Sequence, residues 1–118
     1  MVNAQPTPQT WPVRVGRLLI DAEQYEVFVD DQPVALTYME YQLLFEMCRA
    51  RGGVVSYERL ADTLWRQHPV NARRRLAVLV SRLRSRLGTA GEHIATIQRV
   101  GYRLAEPAPP RPLPQSIN

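Results

Sequence analysis

Between residues 72 and 88 the apolar side chains Leu76, Val80, Leu83 and Leu87 return at helical intervals. Unrolled at about 100° per residue, they fall in one narrow stripe, the mark of a core-facing side. The pattern predicts a helix over 72–87, stopped by Gly88. A second such face runs through "LTYMEYQLLFEMCRARGG", where Leu43, Leu44, Met47 and Cys48 share one side. Thr37 and Glu40 there have the spacing of a Thr-x-x-Glu capping box, and Gly52 or Gly53 supplies a left-handed stop. In "VVSYERLADTLW" a short extended segment leads to Ser56, the N-cap of a helix that turns Leu60, Leu64 and Trp65 inward. "RQHPVNA" reads as a loop, because Pro69 blocks continuation of that helix. The chain before these helices, "RVGRLLIDAEQYEVFVDDQPVALT", reads as short strands. Tyr25 to Val29 alternates with charge, and Asp30-Asp31-Gln32-Pro33 is turn chemistry. The chain after them, "IATIQRVGYRL", reads as two strands about a turn at Val100-Gly101, Gly101 supplying a backbone angle that other residues resist. Ile94, Ile97 and Leu104 can pack on the helices, with Tyr102 covering the core edge.

At 118 residues and 45% apolar content the chain suits one globular domain. Eight of its 10 prolines lie in 1–12 and 107–114. These ends are expected to be disordered, 1–12 as a lead-in and 106–118 as an extended Pro-rich tail, leaving 13–105 as the folded domain. No apolar run reaches membrane-spanning length and no signal-peptide pattern opens the chain, so no membrane partner is expected. The single cysteine, Cys48, falls on an apolar helix face and reads as core. A fold without a disulfide fits a reducing cytoplasm.

Charge changes the picture once it is divided along the chain. All 15 basic residues are arginine. Residues 1–62 hold five of them against nine acids, whereas residues 63–104 hold nine against one. Six arginines and no acid lie in 71–88. A localised basic segment points to a polyanion, nucleic acid first, while the plainer reading is a helix face solvated by arginine. Opposite the core stripe of helix 72–87 lie Arg74, Val78, Ser81 and Ser85. Arg75, Arg82 and Arg86 flank that ridge on one side, Arg73 and Arg84 on the other. A ridge of mostly small residues with cations at its shoulders suits entry into a major groove roughly 12 Å wide. The arginines can reach base edges or phosphates there, and a thymine methyl can cover Val78. Leu79 borders the core stripe and reads as packing.

Catalysis has no candidate. His68 and His93 are lone histidines in loop-like settings without neighbouring ligands, so no metal is expected. Asp30-Asp31 reads as turn and solvent, and no Gly-rich phosphate loop or nucleophile constellation appears. The chain therefore reads as no enzyme, with no cofactor.

Two helices, a loop, a groove-shaped third helix and a hairpin make a winged helix-turn-helix. "LTYMEYQLLFEMCRARGGVVSYERLADTLW", "RLAVLVSRLRSRLG" and "IATIQRVGYRL", in that order, resemble the OmpR/PhoB-type winged-helix domain, the DNA-binding effector of many bacterial two-component response regulators. The resemblance covers about residues 13–105. It implies an α+β fold: an N-terminal four-stranded antiparallel sheet, three helices and a C-terminal β-hairpin wing. It implies that 72–87 is the recognition helix, with base-side positions at Arg75, Val78 and Arg82 and phosphate contacts at Arg74, Ser81 and Arg84. Trp65 matches a tryptophan that can touch a phosphate, a role compatible with half-burial in the core. Loop 66–71 matches a segment that can meet RNA polymerase. Where the family usually has Asp and then, two residues on, His, this chain has Ala77 and Leu79. Where the wing usually reads Arg-Gly before its turn, it has Gln98-Arg99. Both can serve the minor groove.

The expected function is sequence-specific binding of double-stranded DNA as a bacterial transcriptional regulator, helix 72–87 in the major groove and wing 94–104 at the minor groove. Arg73 and Arg86 join the DNA-facing set from the helix flanks. A homodimer on DNA is a further expected partner. The alternative is a protein-interaction module whose arginines meet an acidic partner. These 118 residues leave no room for a receiver domain, so no phospho-acceptor aspartate is assigned among them; a separate effector and a piece of a longer protein are both consistent with that.

Overall fold

Short alternating segments at the N-terminus pair as a meander. In the computed structural model, which describes residues 9–66 and 70–107, β1 (Val13–Val15), β2 (Leu18–Asp21), β3 (Glu26–Val29) and β4 (Gln32–Pro33) form an antiparallel sheet in that order. Register is tight: Leu18 faces Val29 and Ile20 faces Val27. Leu18, Ile20 and Val27 are buried, so one face of the sheet covers the core. Asp30 and Asp31 both take positive φ, 47° and 66°, between the paired residues Val29 and Gln32. That is the twist of a two-residue hairpin turn, which aspartate tolerates. Tyr25 is not the first residue of a strand. It sits at φ 53° in the β2–β3 turn, and its ring packs edge-on to Phe45.

α1 (Tyr38–Arg49) begins with the expected capping box, each of Thr37 and Glu40 bonding the other's backbone. Its stop differs from the expectation in one residue: Arg51 is already left-handed at φ 51°, ahead of Gly52 at 89°. β5 (Val55–Ser56) runs into α2 (Tyr57–Trp65), capped by Ser56. α3 (Ala72–Leu87) ends at Gly88 as expected, and Leu76, Val80, Leu83 and Leu87 are all buried. A 3₁₀ turn over Gly88–His93 leads to β6 (Ile94–Ile97) and β7 (Gly101–Leu104). β7 lies between β6 and β5 in a second, three-stranded antiparallel sheet.

Gly101 is needed for a reason other than the expected one. The left-handed residue of the β6–β7 turn is Arg99, at φ 68°. Gly101 is already in β7, pressed so closely on Val55 that a Cβ would collide with its carbonyl oxygen. His93 is likewise not in an open loop. It is buried at the end of the 3₁₀ turn, and its Nε2 accepts the Arg17 N–H at 3.3 Å, joining the two sheets. Trp11 lies in the segment expected to be disordered, yet its indole meets Phe45 edge-on at 6.1 Å. The remaining terminal expectations, residues 1–8 and 108–118, fall outside the described residues, as do His68 and Pro69. Among the described residues no helix is long and apolar enough to cross a membrane, and no three potential ligands gather for a metal.

Candidate nucleic-acid interface

α3 presents one side to the core and the other to solvent because its stripe of leucine and valine is narrow. Three packed elements hold it: α1, α2 and the 3₁₀ turn that folds back on it. At Gly91 of that turn a Cβ would lie 2.6 Å from Arg84 O, so the return is tight. The outer ridge is therefore displayed on a rigid support.

A groove of about 570 Å³ opens along the ridge, between α3 and the start of α1. Of the expected site residues, Trp65, Arg74, Arg75, Val78, Arg82 and Arg86 line it together. Met39 and Leu79 complete an apolar floor that sequence reasoning did not assign to the site. Val78 is 45% exposed there, an apolar side chain at the centre of a cationic surface. Arg74, Arg75 and Arg82 are exposed and pair with no carboxylate among the described residues. Ser81 is exposed on the same helix. Trp65 is half-buried against the core and reaches the groove, as its amphipathic ring allows.

The other three arginines of α3 are held by partners within the fold. Arg73 lies over the Tyr57 ring, 4.6 Å from its centroid, away from the groove. Arg84, expected on a phosphate, is half-buried and turned to the wing. Its Nε and Nη2 donate to Ile94 O at 3.1 and 2.8 Å, and Nη2 donates to Thr96 Oγ1 at 3.0 Å. Arg86 Nε pairs with Glu40 Oε1 at 2.6 Å, and the Glu40 side chain is 1% exposed. Arg84 and Arg86, both expected on DNA, thus already have hydrogen-bonding partners within the fold. The signal was in the helical wheel. At about 100° per residue Arg84 and Arg86 lie about 70° and 90° from the core stripe, near enough to be recruited by packed elements. Arg74, Arg75 and Arg82 lie about 110–150° away, out of their reach.

In the wing, Gln98, Arg99 and Val100 form the exposed turn. Arg99 takes the left-handed conformation at the tip, uncommon for a long side chain and here imposed by a three-residue loop closed by Val100 N–H donating to Ile97 O. Of loop 66–71, the expected polymerase segment, residues 67–69 lie outside the described ones. Arg66, at φ 55°, closes α2.

Comparison with known proteins gives this geometry a context. Residues 31–104 match the family model described as "Transcriptional regulatory protein, C terminal". The chain is 34% identical over 96 residues to the two-component response regulator PhoP of Pseudomonas aeruginosa, covering 80% of this chain and 43% of that protein. It is 39% identical over 89 residues to the transcriptional regulatory protein CseB of Streptomyces avermitilis, covering 75% and 37%. It thus spans less than half the length of these curated relatives. Among solved structures, the RstA DNA-binding domain of Klebsiella pneumoniae, crystallised in complex with the RstA box, superposes with a TM-score of 0.72 at 27% identity. The match covers 81% of this chain and 98% of that one.

Proposed function

The chain belongs to the family of transcriptional regulatory proteins matched through their C-terminal winged-helix domain, and on that premise we propose that it binds double-stranded DNA sequence-specifically. In this reading α3 enters the major groove and the hairpin of β6 and β7 lies at the minor groove. One observation carries it: Val78 is exposed between Arg74, Arg75 and Arg82, cations with no carboxylate partner among the described residues, on a helix ridge directly opposite the buried stripe. An apolar residue framed by unneutralised charge matches the major-groove edge of a base pair, which offers a methyl group or acceptors inside a wall of phosphates. A protein partner would not require so slim a front.

Arg75 and Arg82 take the base-reading role, with Val78 against a thymine methyl, while Arg74, Ser81 and the Trp65 indole N–H hold phosphates. Gln98 and Arg99 serve the minor groove. The domain is proposed to span 13–105 and to work inside the cell on DNA. RNA polymerase at loop 66–71 and a second copy on DNA are proposed from the family resemblance. The proposal is tested by selecting duplexes from a random pool and competing the selected site with scrambled DNA. Preference of at least about a thousandfold supports sequence-specific binding. Equal competition by scrambled duplex refutes it.

A further inference from the structure

Arg84 is tied to the wing by three hydrogen bonds that start from one guanidinium. The 3.1 and 2.8 Å bonds to Ile94 O form a fork on the first residue of β6, and the 3.0 Å bond reaches Thr96, two residues nearer the tip. Its backbone is engaged as well, because Gly91 sits so close that only a hydrogen fits between them. The end of the recognition helix and the base of the wing therefore share a single corner. Thr96 is paired with Tyr102 across the hairpin, and Tyr102 is buried. The corner is thus fixed to the core and to both wing strands. A flexible linker here would let helix and wing settle on DNA independently. A bidentate arginine is stiff enough to prevent that, since its planar fork sets direction as well as distance.

We infer that Arg84 is a positioning residue: it holds the wing at a fixed reach from the ridge of α3, so that Arg99 meets the minor groove only in register with Arg75 and Arg82 in the major groove. The inference rests on the DNA-binding reading above. It assigns Arg84 a different task from the phosphate contact implied by family resemblance, and the two tasks have different signatures. A phosphate contact depends on charge, acts alike on all duplexes and adds about one unit to the salt slope. A positioning contact depends on the fork and acts through Arg99.

The experiment measures duplex affinity on the selected site for the unaltered chain, Arg84→Ala, Arg84→Lys and Arg99→Ala, and for Arg99→Ala combined with each change at 84. Thermal melting is recorded alongside. In the unaltered chain, Arg99→Ala is expected to weaken binding about fivefold or more. With Arg84→Ala or Arg84→Lys in place, the same change is expected to have less than about a twofold effect, because the wing has lost its register. Any loss of salt slope in Arg84→Ala, from Arg99 leaving the groove, is expected equally in Arg84→Lys, which keeps the charge but not the fork. Should Arg84→Ala fail to fold, Thr96→Ala removes one acceptor at an exposed position and is expected to reduce the Arg99 effect in part. An Arg99 effect undiminished by these changes overturns the inference. So does a slope that falls by about one unit in Arg84→Ala and is restored by lysine. An unaltered chain that binds duplex but ignores Arg99→Ala also overturns it, leaving the α3 reading intact. Absence of duplex binding by the unaltered chain overturns the DNA reading and this inference together.

Discussion

Removing the Arg86 side chain should damage the fold rather than the DNA contact. Glu40 Oε1 accepts the Thr37 N–H at 3.0 Å and meets Arg86 Nε at 2.6 Å, so one buried oxygen serves both the cap of α1 and the last turn of α3. Arg86→Ala leaves that carboxylate, 1% exposed, with the backbone amide alone. Breaking a fully buried pair from one side costs about 3–5 kcal/mol, and an exposed pair is worth about 0–1. Arg86 is 47% exposed, so water screens the pair from one side and the expected loss is about 2 kcal/mol. For a domain of this size that lowers the melting temperature by about 8–16 °C. Adding Glu40→Gln to Arg86→Ala removes the stranded charge yet keeps an oxygen for the Thr37 N–H. About 1 kcal/mol should return. Thermal and urea denaturation of the single and double variants measure both steps. Salt titration of duplex binding should show the same slope for Arg86→Ala as for the unaltered chain. A melting temperature within about 2 °C of the unaltered protein, joined to a slope reduced by about one unit, would refute the reasoning and return Arg86 to the DNA-facing set.

Gly101→Ala should destabilise the domain by about 1–3 kcal/mol or prevent folding, since the added Cβ meets the Val55 carbonyl in an adjacent strand; urea denaturation reads the loss. Burial pushes the Cys48 thiol up to about 11 from its ordinary 9.0, with nearby Arg49 opposing in part. The unfolded thiol ionises first, so stability is intact below pH 9 and is lost as the pH rises from 9.0 towards about 11. Relative to Cys48→Ala, the unaltered chain should therefore weaken over that window, and equal pH profiles would contradict the assignment. Arg82→Ala should cost about 1–3 kcal/mol on the selected duplex and clearly less on scrambled DNA. Equal losses on both would move Arg82 from base to phosphate.

Much of this architecture was legible because local rules and tertiary packing agree. The stripe of Leu76, Val80, Leu83 and Leu87, the Thr37–Glu40 capping box and the Ser56 cap each belong to a single helix, and the structure keeps all three. What sequence could not convey was long-range. Arg84 and Ile94 are 10 residues apart, and their bond depends on a 3₁₀ turn with no periodic signature. The partner of Arg86 lies on another helix, so spacing within α3 does not identify it. Gly101 was recognisable as special, but its constraint is an approach by Val55, a residue far away in the chain. His93 reads as loop-like in sequence because its partner, the Arg17 N–H in the β1–β2 turn, lies 76 residues away in the chain. In the site itself, the residues farthest from the core stripe stayed on the surface as expected, and those on its shoulders were taken up by the fold.

In the proposed complex the cations of the α3 ridge and the wing tip lie among DNA phosphates, with Arg75 and Arg82 also reaching base edges. Duplex affinity measured against salt concentration tests it most directly. Arg74, Arg75, Arg82 and Arg99 carry no carboxylate partner among the described residues, and Arg73 keeps its charge over the Tyr57 ring. With about −0.9 per neutralised phosphate, a log–log slope between about −2 and −5 is expected. A flat response, or no duplex binding at low salt, would contradict it.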